Sequence, residues 1–365
     1  MKILAIETSC DDTCVAILEK SDNEITFLSS VVSSQIEVHR EWGGVYPTLA
    51  KREHQKNLVP VLKKALKEAS LLKKGQVKKD VSPILKREEI LSQKLTEFLN
   101  SYDKPDIDYL AVTVGPGLDP SLWAGINFAK ALAFSWGLPI VPVNHIKAHF
   151  LAPLIIKGGS FPAVSLLASG GHTQLIVSKS LTSHKVIGKT RDDAAGECFD
   201  KTARILGLDY PGGPEIAKLA KKSTDRSVDL PRPMINSKDY DFSFSGLKTA
   251  VLYKWRDEED KSENFKIAMA KEIQEAITDV LVEKTFRALT EFNAKTVVVG
   301  GGVSANKRLR EKIKERGGDG QIILPDLDFS TDNAKMIAVT ALYEKDKSQT
   351  LDWRSLESNP NLKIN

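Results

Sequence analysis

Apolar positions along the chain fall into short runs separated by polar or glycine turns, interleaved with longer stretches of helical period. Residues 3–6, 14–18 and 25–32 are strand-like runs, and the polar turn 7–13 between the first two predicts an antiparallel meander. A helical pattern covers 48–69. A buried-strand run at 109–114 ends in Gly115-Pro116-Gly117 and leads into a helix over 120–136. An apolar run at 139–143 then precedes His145-Ile146-Lys147-Ala148-His149. The pattern repeats in the second half of the chain. Residues 163–168, the turn Ser169-Gly170-Gly171-His172 and residues 173–177 repeat the opening strand, turn and strand. Residues 296–299, Gly300-Gly301-Gly302 and a helix opened by Ser304-Ala305-Asn306 repeat the strand, glycine turn and helix. In each half the second motif follows the first by about 100 to 130 residues, which predicts two related α/β units. Their polar hairpin tips are expected to face a shared central cleft.

At 365 residues the chain exceeds the usual reach of one core, so two domains are expected. Hydrophobic content of 41% and charged content of 27% are those of an ordinary globular protein. The net charge of +4 neither demands nor excludes a polyanionic partner, because local clustering decides that. Clustering is present: between Lys63 and Lys94 there are ten Lys/Arg against four Asp/Glu, broken only by Pro83. A solvated helical insertion is the ordinary reading, and contact with nucleic-acid phosphates is the alternative. Three sparse cysteines, Cys10, Cys14 and Cys198, fit a reducing compartment. With no basic-then-apolar leader and no apolar run approaching about 18 residues, a cytoplasmic protein without a membrane segment is expected.

Candidate chemistry is concentrated in the turns. His145 and His149, four apart, share one helix face and can address one ion, with Zn, Fe or Ni suited to two imidazoles and a third ligand needed from elsewhere. An ordinary helix surface is the alternative. The tip Glu7-Thr8-Ser9-Cys10-Asp11-Asp12-Thr13 suits phosphate or metal contact, or is a solvated turn. His54 and Lys51-Arg52 on the 48–69 helix are expected to face water. In the stretch Arg191 to Thr202, Asp193 is expected to cap a helix on which Glu197 and Asp200 share a face. Tyr210-Pro211-Gly212-Gly213-Pro214 is a rigid turn that lets another group approach its backbone. The loop Asp241 to Thr249 leads into a helix, and a long amphipathic helix is expected over 265–292. Asp332, within Ser330-Thr331-Asp332-Asn333-Ala334, is either a helix cap or a metal ligand.

These residues together form a signature. AIETSCDDT, GPGL, HIKAH, SGGHTQL, DDAAGECFDK, GLDYPGGP, DFSFSGLKT, GGGVSAN and STDNA occur in order, so that the match runs from residue 3 to residue 338, and the chain closely resembles the tRNA threonylcarbamoyladenosine transferases, formerly labelled sialoglycoprotein endopeptidases. The resemblance implies an actin-like, sugar-kinase-like ATPase fold. The first domain is expected over 1–144, with the basic insertion near 70–100 and completion by 345–365, and the second over 145–344. It implies one Fe(2+) or Zn(2+) per subunit, held by His145, His149 and Asp332. Substrate contacts carry over to Leu167, Ala168, Ser169, Gly170, Gly171, Asp200, Gly213 and Asn306, and Asp11 matches a carboxylate that matters for activity. Asp12, where bacterial relatives often have Glu, receives no role.

The implied reaction moves an L-threonylcarbamoyl group from threonylcarbamoyl-AMP to N6 of the adenosine 3′ to the anticodon, in tRNAs reading codons that begin with A, and releases AMP. Implied partners are tRNA, a degenerate paralogue and a P-loop ATPase, although organellar relatives act alone as homodimers. Three other functions compete. An ATP-dependent kinase or ATPase of the same fold would use Mg, which prefers oxygen ligands over histidines. A zinc peptidase would need the glutamate that HIKAH lacks. A non-catalytic nucleotide-binding subunit would be expected to lack the histidine pair and the aspartate.

Overall fold

The computed structural model describes residues 1–22, 24–222, 224, 226–318, 320–345 and 352–364, with only the backbone at 327 and 328. The strands are β1 (Lys2–Glu7), β2 (Thr13–Ser21), β3 (Glu24–Ser33), β4 (Tyr109–Gly115), β5 (Ile140–Asn144), β6 (Ala163–Ala168), β7 (Thr173–Ser178), β8 (His184–Lys189), β9 (Thr296–Gly300) and β10 (Gln321–Ile323). They form two five-stranded sheets, ordered β3-β2-β1-β4-β5 and β8-β7-β6-β9-β10. In each sheet the first three strands pair antiparallel and the last two add in parallel. The repeat read in the sequence is therefore a repeat of topology, strand for strand.

The central strands explain why these runs read as continuous apolar blocks. Ile3, Leu4, Ala5 and Ile6 of β1 and all of β6 are buried. A strand covered on both faces has no solvent side on which to place a polar residue. Each fully buried Ile, Leu or Val side chain contributes roughly 1.5–3 kcal/mol of transfer free energy.

By contacts the chain divides into Met1–Ala152 with Asp332–Lys363, and Pro153–Thr331. The expected divides at 144/145 and 344/345 thus fall at 152/153 and 331/332. The reason at the second divide is the helix Ala334–Glu344, which packs against β1, β2 and β5 and so belongs to the first unit. Of the segment 345–365 expected to complete that unit, residues 346–351 and 365 lie outside the described residues.

In the first unit the helix Pro47–Glu68 lies against β2, β3 and the helix Asp119–Trp136. Its buried stripe runs Ala50, His54, Leu58, Leu62 and Ala65, at the spacing of one helix face. The basic stretch is not one helical insertion. After Glu68 the chain is non-helical to residue 88, pairs Lys74 with Tyr102, and becomes helical again over Glu89–Leu99. In the second unit the long helix Glu263–Glu291 packs on β6, β9 and the helix Gly212–Ala220. Among the described residues no helix is long and apolar enough to cross a membrane.

Candidate functional site

In the first unit β5 runs directly into the helix His145–Ile156, so His145 opens the helix and His149 stands one turn above it. Their rings are 4.7 Å apart and nearly perpendicular. Asp332 comes from a distant part of the chain, just before the helix Ala334–Glu344. Asn333 caps that helix by accepting from the Met336 N–H at 3.0 Å. The cap is therefore not Asp332, whose Oδ1 lies 3.1 Å from His149 Nε2 and 3.5 Å from His145 Nε2. The three residues can each offer a ligand atom within 4.8 Å of the others.

A residue read from the sequence only as the start of the polar turn holds this group in place. Glu7, the last residue of β1, is fully buried, and its Oε2 accepts from Thr113 Oγ1 at 2.5 Å and from His145 Nδ1 at 3.0 Å. Its Oε1 accepts from the Ser9 N–H at 2.5 Å, and Ser9 Oγ also lies 3.1 Å from His145 Nδ1. With Nδ1 fixed on a carboxylate, Nε2 of His145 is turned toward Asp332, the arrangement by which second-sphere carboxylates orient metal-binding imidazoles. Burial disfavours the His145 imidazolium, but the charges of Glu7 and Asp332 outweigh burial and lift its pKa to about 9. Burial alone would raise the Glu7 carboxyl, which the His145 charge and the hydrogen bonds from His145 and Thr113 hold below its ordinary value. Burial pushes His149 down, with the Asp332 hydrogen bond opposing.

The fit to a cation can be tested on these atoms. His149 is 2% exposed, and its Nδ1 is buried without a hydrogen-bond partner. An orphaned ring nitrogen in a cluster of two imidazoles and two carboxylates is unusual for a purely structural network. The donor set of two nitrogens and one oxygen suits Fe(2+) or Zn(2+).

The turn between β1 and β2 adds two more carboxylates. Burial raises the Asp11 carboxyl against a hydrogen bond from Cys10, and burial with the Asp11 charge lifts Asp12 to about 7. Asp12 Oδ1 is buried without a partner, so this residue, assigned no role from the sequence, is part of the acidic environment. His54, expected to face water, is fully buried under the same turn. It lies 2.8 Å from Thr13 Oγ1 through Nδ1 and 3.0 Å from the Cys10 carbonyl through Nε2. The Ala50, His54, Leu58 spacing was the available signal for its inward orientation.

In the second unit, β6 ends at buried Leu167 and Ala168, and the chain reverses over Ser169–His172. The Ser169 N–H donates to the His172 carbonyl at 2.8 Å, and the His172 N–H donates to Ser169 Oγ at 3.1 Å. Gly170 and Gly171 are exposed and have open space where a Cβ would be. Two other glycines brace this turn. A Cβ on Gly196 would lie 2.7 Å from the Ser169 carbonyl oxygen, and Gly301, at φ +82°, would place one 2.5 Å from the Ala168 carbonyl oxygen. Gly196 is in the first turn of the helix Ala195–Ile205, and Asp200 is four residues on, over the same face. Asp200 Oδ1 accepts from the Gly212 N–H at 2.7 Å, and the Gly213 N–H also reaches this carboxylate. Burial raises the Asp200 carboxyl and these backbone donors oppose it.

Ala194, not Asp193, stands at the N-cap of that helix, where the Glu197 carboxylate accepts from its N–H at 3.3 Å. Asp193 instead pairs with Lys201 at 2.6 Å. Asp192 binds two of the sequence motifs together. It accepts from Ser243 and Ser245 hydroxyls at 2.6 and 2.7 Å and from the Phe244 and Ser245 N–H groups at 2.8 and 3.2 Å. Asn306 caps the helix Lys307–Arg316 by accepting from the Leu309 N–H at 3.0 Å, and its amide donates to Gln274 Oε1 at 3.1 Å. The structure therefore gathers Leu167 to Gly171, Asp200 and Gly213 around one helix face, while the Asn306 side chain already serves its own helix.

The family model described as tRNA N6-adenosine threonylcarbamoyltransferase matches residues 26–77 and 88–339. Proteins of that name from Persephonella marina and Thermosipho africanus are 46% and 44% identical over 370 and 369 residues. Both alignments span 100% of this chain, and 96% and 100% of the relatives. The chain belongs to the tRNA N6-adenosine threonylcarbamoyltransferase family. It is an enzyme of tRNA threonylcarbamoylation, and the kinase, peptidase and non-catalytic readings give way to that one. The fold of this transferase is the actin-like ATPase fold. Similar solved structures include full-length HypF in its phosphate- and nucleotide-bound form, at 12% identity and a TM-score of 0.54 over 96% of this chain and 47% of that one. Component A of the (R)-2-hydroxyglutaryl-CoA dehydratase of Acidaminococcus fermentans follows, at 14% identity and 0.50 over 95% and 99%.

Proposed function

We propose that the enzyme transfers an L-threonylcarbamoyl group from threonylcarbamoyl-AMP to N6 of the adenosine 3′ to the tRNA anticodon, with one Fe(2+) or Zn(2+) held by His145, His149 and Asp332. The observation that carries the metal assignment is the convergence of His145, His149 and Asp332, whose ligand atoms lie within 4.8 Å of one another. When bound, the ion would act as a Lewis acid on a carbonyl oxygen. Glu7 would keep the His145 ring oriented.

In the reaction the adenine N6 forms a bond to the carbamoyl carbon, the bond from that carbon to the phosphate oxygen breaks, and AMP leaves with the electron pair. The amine proton must go to a base. Asp11, whose carboxyl burial raises, is a stronger proton acceptor than an ordinary aspartate and is assigned that step. For the donor, the exposed Gly170 and Gly171 backbone offers N–H groups to a phosphate or carbonyl oxygen. Leu167 and Ala168 form the floor of that turn. Asp200, with Gly213 beside it, suits the ribose hydroxyls, and the second hydrogen of the Asn306 amide suits the nucleotide. The adenine amine is a poor nucleophile, so orientation supplies much of the acceleration.

A degenerate paralogue and a P-loop ATPase are the proposed partner subunits, with a homodimer as the self-sufficient form and the cytoplasm as the compartment. The test incubates the purified chain with unmodified tRNA and threonylcarbamoyl-AMP, with and without those subunits, and measures the modified nucleoside. Product is expected in at least one condition, and none in either refutes the donor assignment. Metal analysis of the same preparation should give one ion per chain, lost in His145→Ala and His149→Ala variants that remain folded.

A further inference from the structure

One feature of the first unit has no part in the chemistry above. The 25 residues from Lys63 to Arg87 contain nine Lys/Arg and two Asp/Glu, a net charge of +7 in a chain whose total is +4, so the other 340 residues carry −3. All nine cations are exposed. Among the described residues only Lys64 of the nine has a carboxylate within 4.0 Å, Glu68 at 3.9 Å. The apolar residues of the same stretch point the other way: Ala65, Leu66, Val81 and Leu85 are buried in the core of the first unit. The segment is therefore a fixed surface with a solvent side made of cations.

The cations are also held close together. The chain at 73–77 runs beside 99–103, with the Gly75 and Val77 N–H groups donating to the Ser101 and Leu99 carbonyls and the Asp103 N–H to the Lys73 carbonyl. This brings Lys74 to the Tyr102 ring, with its Nζ 4.7 Å from the centroid, while Lys63 of the helix Pro47–Glu68 approaches the same ring at 5.2 Å. Lys78 and Lys79 continue the row, and Lys79 lies 5.3 Å from the Phe134 ring centre. Like charges held together without carboxylate partners cost free energy in the isolated chain, and a polyanion recovers that cost by counterion release. Residues 78–87, which contain four of the nine cations, fall between the two segments that the family model matches.

We propose that this face, centred on Lys63, Lys73, Lys74, Lys78 and Lys79, binds the phosphate backbone of the tRNA substrate. The proposal rests on the reading of the chain as an enzyme acting on tRNA, and its partner is chosen because a nucleic acid is the polyanion that this activity already brings to the molecule. Contacts of this kind fix register and affinity and carry no base specificity.

The test measures the Kd of the full chain for an end-labelled, unmodified tRNA transcript between about 50 and 200 mM salt. One variant carries Lys73→Ser, Lys74→Ser, Lys78→Ser and Lys79→Ser. A control removes four exposed lysines of the second unit, Lys179, Lys185, Lys218 and Lys221, to serine. The four-lysine variant is expected to bind about tenfold or more weakly and to lose roughly 3 from the slope of log Kd against log salt, since each neutralised duplex phosphate contributes about 0.9. The control is expected to change both much less. Lys78→Glu with Lys79→Glu, which touches fewer contacts, should weaken binding in the same direction if the larger variant fails to fold.

Equal effects in patch and control, or an unchanged Kd in the patch variants, overturn the proposal. So does a loss of binding to polyglutamate with tRNA affinity intact, which would mark a surface for an acidic protein. Binding is read directly, so it does not depend on the donor or the metal. Failure of the unaltered chain to bind tRNA at low salt would refute the tRNA reading itself.

Discussion

The two hairpin turns at the heads of the duplicated sheets show how one topology can carry two kinds of chemistry. β1 and β6 occupy the same place in their sheets, each paired antiparallel to the next strand and parallel to a later one. β1 ends on a buried glutamate and leads into a turn with Ser9, Cys10, Asp11 and Asp12, which His54 holds from below. β6 ends on alanine and leads into a turn whose exposed members are glycines. The first turn concentrates negative charge beside two histidines, the setting for a cation. The second offers backbone N–H groups and open space, the setting for an anionic or carbonyl oxygen. Duplication supplied the frame, and the residues at the strand ends set the charge that each turn attracts.

The largest expected effect comes from removing His149. His149→Ala should lose bound metal and lower transfer about 100-fold or more, on the order of 3 kcal/mol of transition-state stabilisation. Ser169→Ala in the other turn should leave metal content unchanged and raise KM for the donor. Metal loss on Ser169→Ala, or full activity without metal in His149→Ala, would break the division of labour between the turns.

Next is the cost of packing carboxylates under the first turn. Asp12 is lifted to about 7 in the folded chain against an ordinary value of 3.8. A raised carboxyl means that the folded state binds more protons than the unfolded state between those values. Its penalty is therefore fully present above pH 7 and disappears as pH falls toward 4. In metal-stripped protein Asp12→Asn should raise stability by about 2 kcal/mol at pH 7.5, with the gain shrinking on acidification. Urea unfolding at several pH values measures it, and a gain independent of pH would refute the assignment. His54 contributes with the opposite sign. Burial holds it down at about 4 against 6.5, so the stability tied to its neutral form is present above 6.5 and lost as pH falls toward 4.

These examples also mark what the sequence could disclose. Strand runs and glycine turns were legible because a strand buried on both faces must be continuously apolar, and a repeated order of such runs can only be a repeated sheet. The convergence of His145, His149 and Asp332 was legible in part: the i, i+4 pair follows from helix geometry, whereas Asp332 is 183 residues from His149, reads locally as either a helix cap or a metal ligand, and was joined to the pair only through resemblance. Glu7 was legible only as the first residue of a polar turn suited to phosphate or metal contact or to solvent, and its hold on His145 was not. Nothing local indicates that Thr113 and His145 close over it. Asp193 was misplaced by one residue, since its neighbour Ala194 is the N-cap although it has no capping side chain, and Glu197 reaches back to it. The lysine run was legible as charge, but its shape was not, because Val81 and Leu85 anchor it through non-helical chain.

Glu7 gives the third prediction. Glu7→Gln keeps the shape and one acceptor oxygen, which can stay on the Ser9 N–H, but puts an amide NH2 where Thr113 and His145 meet the carboxylate and removes the charge that orients His145. Loss of such a second-sphere carboxylate typically weakens metal affinity about 10-fold or more. A competition titration with a chromophoric chelator reads this, and an unchanged affinity would reduce Glu7 to an anchor of the β1–β4 edge.

The smallest effect bears on Asn306, where structure and resemblance pull in different directions. Its Oδ1 caps the helix Lys307–Arg316, and its amide donates to Gln274. Asn306→Ala should therefore cost about 1 kcal/mol of stability whatever the residue does for the donor. Asn306→Asp separates the two roles. A carboxylate still accepts from the Leu309 N–H and suits a helix N-terminus, so the cap survives, but the amide hydrogens are gone. If Asn306 serves only its helix, the aspartate variant should match the parent in melting temperature and in KM for threonylcarbamoyl-AMP. If the second amide hydrogen meets the nucleotide, as proposed, the aspartate variant should keep its stability and show a several-fold higher KM, because a carboxylate repels the phosphate that an amide tolerates. A rise in KM confined to the alanine variant would assign the effect to the frayed helix, and the nucleotide contact would be withdrawn.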